Sequence, residues 1–142
     1  MFSKTNLVST LVTALYNLFG GYLFWELLMG SFIESHLGTA TGVMREEPDI
    51  MWISLGCLVT GFAFSTIYSK WAKGVHSTAN GFKFGVWAGI LMGLGDRLTD
   101  YGLTNILDFT GTITNGVMYV IFFGIMGIIA SFIYGKMSSK KN

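Results

Sequence analysis

Four long apolar runs, separated by short polar segments, constrain the fold of this chain more than any other feature. A helix needs about 20 mostly apolar residues to cross the hydrocarbon core of a bilayer. The runs cover roughly residues 7–30, 50–68, 81–94 and 113–134, and the third is the shortest. We therefore predict an all-α, polytopic membrane protein in which residues 1–142 form a single transmembrane domain with four transmembrane helices.

The composition favours a membrane protein over a soluble domain. Charged residues make up 12% of the chain and the mean hydropathy is +0.55, whereas soluble domains carry about 25% charged residues. The 19 glycines are ordinary in membrane helices but costly in soluble ones. Cys57 is the single cysteine, which excludes an intramolecular disulfide. Because the sequence contains no basic patch with interleaved aromatic residues, we expect the lipid bilayer as a partner and no nucleic acid.

Basic residues are concentrated on one side of the predicted spans. Seven of the nine precede the first run, flank the connection between the second and third, or follow the fourth: Lys4, Lys70, Lys73, Lys83, Lys136, Lys140 and Lys141. The other two connections contain Arg45 and Arg97, together with most of the acidic residues. Since cytoplasmic loops carry an excess of Lys and Arg, we predict that both termini and residues 71–81 are cytoplasmic, and that residues 31–48 and 99–111 face the other side.

A segment near the end of the second run recurs near the end of the fourth. Five residue types match at an offset of 66 residues, in the pairs Gly61 and Gly127, Ser65 and Ser131, Ile67 and Ile133, Tyr68 and Tyr134, and Lys70 and Lys136. A shorter match at an offset of 63 relates residues 27–30 to residues 90–93. The matches predict two duplicated helical hairpins related by an axis along the membrane normal. The alternative is coincidence, because membrane sequences draw on few residue types.

Four glycines recur at every fourth position of the third run. Gly81, Gly85, Gly89 and Gly93 would form one stripe along a helix, where the missing side chains let another backbone approach closely. We expect this stripe to mediate helix packing, either inside the bundle or between protomers. A glycine-lined pore is the alternative.

Glu26 is the one ionisable candidate for a functional group inside a span, because burying a charge in the bilayer is costly. It lies about four residues from the outer end of the first span, a depth of roughly 6 Å. We expect an ion pair between Glu26 and Arg97, with Asp96 or Asp100 completing a polar cluster. The alternative is a proton or cation site at Glu26.

Two further residues, Glu34 and His36, belong to the same outer side. A metal cluster that joins them to Asp96 and Asp100 is an alternative without recognised ligand spacing, so no metal ligand is predicted. His36 is expected to be a solvated residue at a helix end, and His76 an ordinary surface residue.

The sequence contains no motif that specifies a reaction. Walker loops, GxGxxG, HExxH and CxxC are all absent, so we predict no catalytic residue and no cofactor. The favoured function is a non-enzymatic structural or accessory protein that forms homo-oligomers or joins a membrane complex. The alternatives are a small oligomeric transporter or channel with an outer acidic site around Glu26, and a membrane enzyme for which no nucleophile and base can be named.

Three segments resemble a group of small bacterial four-helix membrane proteins that contain a domain of unknown function. They are residues 20–22 (Gly-Gly-Tyr), residues 42–48 (Gly-Val-Met-Arg-Glu-Glu-Pro) and residues 100–105 (Asp-Tyr-Gly-Leu-Thr-Asn). The resemblance implies a location in the bacterial inner membrane and carries no activity. Small multidrug transporters also have four helices and a glutamate in the first, but Glu26 lies too near the outer end for more than a similarity in shape.

Overall fold

A computed structural model describes residues 3–138, which are helical apart from the connections. In chain order the elements are α1 (Lys4–Leu15), two π-helical segments (Tyr16–Gly20 and Tyr22–Leu28), α2 (Gly30–Ser35), α3 (Ile50–Trp71), α4 (Thr78–Gly89), a third π-helical segment (Ile90–Gly95), α5 (Asp96–Leu103) and α6 (Phe109–Ser138). No strand occurs among these residues, and the all-α prediction is confirmed. Lys140 and Lys141 lie outside the described residues.

Each of the four principal helices begins at a side chain that accepts hydrogen bonds from its first turn. Ser3 caps α1, Asp49 caps α3 and Ser77 caps α4. The carboxylate of Asp108 accepts from the backbone N–H of Gly111 at 2.7 Å, at the start of α6. Such caps satisfy N–H groups that have no partner inside the helix, and they fix where each apolar run begins to be helical.

Three helices are long and apolar enough to cross a bilayer. They are Lys4–Leu28, Ile50–Trp71 and Phe109–Ser138, which correspond to the first, second and fourth predicted spans. The third predicted span lies within one continuous helical stretch, residues 78–103, but does not meet the same requirement. Lys83 and Asp96 leave only 12 uncharged residues between them, fewer than a span needs. Length and hydropathy therefore support three of the four spans.

The helices pack as two antiparallel pairs. α3 packs against α1, and α6 packs against α4 along much of its length. α1 also contacts α6 and so joins the pairs. The backbones of α3 and α4 approach each other closely at few points, and these helices meet mainly through aromatic rings packed on Phe84. The side chains of Tyr68, Phe122 and Met126 are almost completely buried where the pairs meet.

The glycine stripe of the third predicted span lies against α6. A Cβ atom at Gly85 would overlap the carbonyl group of Phe123, and one at Gly89 would lie 2.5 Å from the Cα of Val120. At the two ends of the stripe, Gly81 and Gly93 contact Gly127 and Tyr119 in the same way. The close approach of two backbones thus occurs inside the bundle, and the stripe is not open to a second protomer.

Backbone hydrogen bonds tie together the two connections on the side predicted to face outward, which we call the outer side of the bundle, the lysine side being the inner side. Leu37 and Leu107 form an antiparallel bridge, and Gly38 donates to the carbonyl oxygen of Ile106 at 2.8 Å. The backbone N–H of Ala40 donates to the carbonyl oxygen of Asn105 at 3.0 Å. These bonds hold the outer ends of the two helix pairs at a fixed separation.

Candidate functional site

Arg97 is the centre of a polar cluster at the outer end of the bundle. Its guanidinium forms ion pairs with Asp96 at 2.5 Å and with Asp100 at 3.0 Å. The guanidinium carbon also lies 5.9 Å from the centre of the Tyr119 ring. We call these four residues the outer cluster.

The predicted ion pair between Glu26 and Arg97 is not formed. Glu26 is exposed, and within residues 3–138 the carboxylates bound to Arg97 are those of Asp96 and Asp100. The physical reason is local: a partner one or three residues away on the same helix is already in reach, whereas a partner on another helix must also face the right direction. Asp96 and Asp100, expected to complete the cluster, form its core.

Glu34 and His36 do not join the outer cluster. His36 stacks on Phe32, with ring centroids 4.1 Å apart, and its Nδ1 lies 2.9 Å from the Phe32 carbonyl oxygen. Glu34 is exposed. In the described part of the chain no three His, Cys, Asp or Glu side chains are close enough together to hold a metal ion. The alternative metal cluster of Glu34, His36, Asp96 and Asp100 is therefore not assembled here.

Polar side chains at the other end of the bundle join α1 to α3. The side-chain amide of Asn6 donates to the hydroxyl of Thr66 at 3.1 Å, and the hydroxyls of Ser9 and Ser65 are 2.9 Å apart. Thr13 donates to the Ser9 carbonyl oxygen at 2.7 Å, and its hydroxyl lies 3.3 Å from that of Ser65. All five side chains are buried. In an apolar surrounding such bonds hold helices together, because an unpaired polar group would be costly.

Tyr134 of α6 connects to the same set of side chains. Its hydroxyl donates to the Oδ1 of Asn6 at 2.6 Å and lies 3.1 Å from the Ser65 carbonyl oxygen. One phenol therefore holds α6 to both α1 and α3. We call Asn6, Ser9, Thr13, Ser65, Thr66 and Tyr134 the polar junction.

The polar junction was not identified from the sequence, although two signals point to it. Asn6, Ser9 and Thr13 are spaced three and four residues apart, which places them on one face of a helix. Ser65 and Tyr134 belong to the repeated segments, where two polar side chains recur at equivalent positions of two helices.

His76 packs over the inner end of the bundle and is not an ordinary surface residue. Its Nδ1 lies 3.3 Å from the hydroxyl of Tyr68, and its ring centroid is 5.3 Å from that of Tyr134. Burial lowers the pKa of His76. The neutral imidazole, which can accept a hydrogen bond from the Tyr68 hydroxyl, is thus favoured in the folded protein.

Comparison with known proteins adds no further constraint: no family model, curated protein or solved structure matches the chain.

Proposed function

We propose that the chain is a non-enzymatic structural or accessory protein of the bacterial inner membrane that forms homo-oligomers or joins a larger membrane complex. The observation that carries this proposal is the use of the interior polar side chains. Thr13 and Ser65, two of the few that could have lined a pathway, hydrogen-bond other helices in the polar junction. They act as contacts that hold a bundle together, which is what a structural component requires.

In this proposal the helical stretch 78–103, which contains the third predicted span, also crosses the membrane and brings the number of transmembrane helices to four. Its 26 residues extend for about 39 Å at 1.5 Å per residue, more than the roughly 30 Å of the hydrocarbon core. It packs along α6, which is itself long and apolar enough to span. The glycine contacts supply the close packing that membrane helices use in place of a hydrophobic driving force.

The two helix pairs are proposed to be duplicated hairpins. Tyr68 and Tyr134, at equivalent positions of the repeated segments, meet with ring centroids 5.5 Å apart. The equivalent glycines of the two repeated segments, Gly61 and Gly127, also have matching roles. A Cβ at Gly61 would lie 2.8 Å from the Thr10 carbonyl oxygen of α1, and one at Gly127 would overlap the Gly81 carbonyl of α4. Each glycine thus brings its helix close to the first helix of its own pair.

The mass of the native assembly tests the proposed role. The protein is purified in a mild detergent and in native nanodiscs, and its mass is compared with the 15.6 kDa of one chain. A multiple of that mass, or a partner that co-purifies at a fixed ratio, supports the proposal. A single chain without partners in both preparations contradicts it.

The alternative function, a small oligomeric transporter or channel, is favoured by one observation. Glu26 is exposed and Arg97 is engaged by other carboxylates, so the Glu26 carboxylate is available to a cation or proton. Ion uptake into proteoliposomes measures this. Uptake that is lost in Glu26→Gln and kept in the control Glu34→Gln would support transport over a structural role.

A further inference from the structure

An apolar groove of about 430 Å³ opens between α3 and α4, and we call it the lateral groove. Its walls are formed by Val59, Ile67 and Trp71 on one side and by Phe84, Trp87 and Leu91 on the other. The groove exists because the backbones of α3 and α4 approach each other closely at few points, although each helix packs closely against its own partner.

The opposite seam of the bundle, between the first helix and α6, is closed by aromatic side chains. The Tyr16 hydroxyl donates to the Phe122 carbonyl oxygen at 3.0 Å, and the Trp25 indole donates to the side-chain oxygen of Asn115 at 2.7 Å. Aromatic rings also bridge α3 and α4 at the lateral groove, where the ring centroid of Phe84 lies 4.9 Å from that of Phe64 and 5.6 Å from that of Trp71. These rings form part of the groove lining and do not fill the groove.

The length of the lateral groove matches one leaflet of a bilayer. Val59 and Trp71 are 12 residues apart, which corresponds to about 18 Å along a helix. One leaflet contributes about half of the 30 Å hydrocarbon core, or about 15 Å. A partner helix that crosses the membrane would need a groove about twice as long, so the dimensions favour an acyl chain over a second protein helix.

Two lysines lie at the basic end of the lateral groove. Lys70 is three residues from Ile67, and Lys83 is four residues from Trp87, so each shares a helical face with a lining residue. Both lysines are exposed, and residues 50–95 contain no acidic side chain. Trp71, whose indole suits the headgroup level, lines the same end of the groove. The charge is complementary to a phosphate, and basic sites between membrane helices bind anionic headgroups.

We propose that the lateral groove binds one anionic phospholipid of the leaflet on the lysine side. An acyl chain lies between Ile67 and Trp87, and the phosphate is held by Lys70 and Lys83. The proposal requires α3 and α4 to be in a bilayer, but it does not depend on the oligomeric state or on transport.

Tryptophan quenching by brominated acyl chains tests the site, because two of the four tryptophans, Trp71 and Trp87, line the groove. The protein is reconstituted in phosphatidylcholine with a small, equal fraction of brominated phosphatidylglycerol or brominated phosphatidylcholine. With about 1 kcal/mol for each of the two lysines near the headgroup, we expect the anionic lipid to be enriched at these tryptophans by about thirtyfold at low salt.

Matched variants assign the effect to the groove. Lys70→Gln/Lys83→Gln should abolish the preference for the anionic lipid, whereas Lys4→Gln/Lys136→Gln removes the same charge at other helices and should keep it. Ala63→Phe, which adds a ring to the groove lining, should reduce quenching by both lipids. Circular dichroism confirms that each variant is folded.

Two outcomes would overturn the proposal. Equal quenching by the two brominated lipids would show that bulk lipid fills the groove without selection. Weak quenching that falls further as the protein-to-lipid ratio rises would show that a second copy of the chain occupies it.

Discussion

The hydroxyl of Tyr134 joins three helices with a single oxygen atom. It contacts Asn6 on α1 and the Ser65 backbone on α3 from its position on α6, and its side chain is buried. Because these helices are distant in sequence, the phenol closes contacts that no local interaction could replace. At the residue scale the polar junction is therefore sensitive to the loss of a single oxygen atom.

Removal of this hydroxyl should destabilise the bundle by roughly 1 kcal/mol, the order found for hydrogen bonds between membrane helices. We expect Tyr134→Phe to lower the free energy of unfolding by that amount, measured by denaturant titration in detergent. The matched control is Tyr22→Phe. Tyr22 is 60% exposed, and its hydroxyl bonds no residue in the described range 3–138. Equal losses in the two variants would contradict a special role of the junction.

His76 should make stability depend on pH. Its pKa is lowered in the folded protein by burial, whereas an unfolded histidine has a pKa of about 6.5. Below that pH the unfolded state binds more protons than the folded state, so stability falls as the pH falls. We expect a lower melting temperature at pH 5.5 than at pH 7.5, and a smaller difference in His76→Asn. An unchanged difference in the variant would assign the pH dependence to other groups.

The residue types at the outer end could be predicted from the sequence, but the ion-pair partners of Arg97 could not. The positions of Glu26 and Arg97 along their helices gave similar depths in the membrane, yet depth does not determine which way a side chain faces. Arg97 instead binds Asp96 and Asp100 on its own helix, where little side-chain entropy is lost to reach them. Partners within one helix were thus predictable from spacing, whereas those across helices required the packed structure.

At the scale of elements, apolar runs located the helices well and the π-helical segments not at all. Residues 16–20, 22–28 and 90–95 adopt π-helical geometry in the two helices that begin the pairs. π-Helix has no hydrophobic period that a short window can distinguish from α-helix. The third span shows a limit of hydropathy as a predictor, because the glycines that let this helix pack so closely on α6 contribute little to its mean hydropathy.

A methyl group at the centre of the glycine stripe should separate α4 from α6. We expect Gly85→Ala to cost about 1–3 kcal/mol, the range for overpacking a tight interior, because its Cβ would overlap the Phe123 carbonyl. The control is Gly56→Ala on α3, where a Cβ has nothing within 4 Å and alanine is the better helix former.

Thermal unfolding of the purified variants measures the difference. We expect Gly56→Ala to melt at or above the wild-type temperature and Gly85→Ala well below it. Equal melting temperatures would mean that α4 can move away from α6 without a loss of stability. That result would remove the main support for placing residues 78–103 in the membrane.

At the scale of the whole molecule, the two ends of the bundle differ in charge. α1, α3, α4 and α6 alternate in direction, so Lys4, Lys70, Lys73, Lys83 and Lys136 gather near the end covered by His76. The outer cluster and the bridge between Leu37 and Leu107 lie at the opposite end. Positive charge on one end opposes translocation of that end, so this polarity predicts insertion in one direction.

Orientation can be tested with single cysteines in a Cys57→Ala background. Val75 and Thr39 are both exposed and lie in connections at opposite ends of the bundle. With the lysine end in the cytoplasm, a membrane-impermeant thiol reagent should label Thr39→Cys in intact cells and should label Val75→Cys only after the membrane is permeabilised. Labelling of Val75→Cys but not of Thr39→Cys in intact cells would mean that the orientation is the reverse of the predicted one. Labelling of both variants in intact cells would instead mean that the chain inserts in both directions, and neither a fixed outer site at Glu26 nor a lipid site confined to one leaflet could then be maintained.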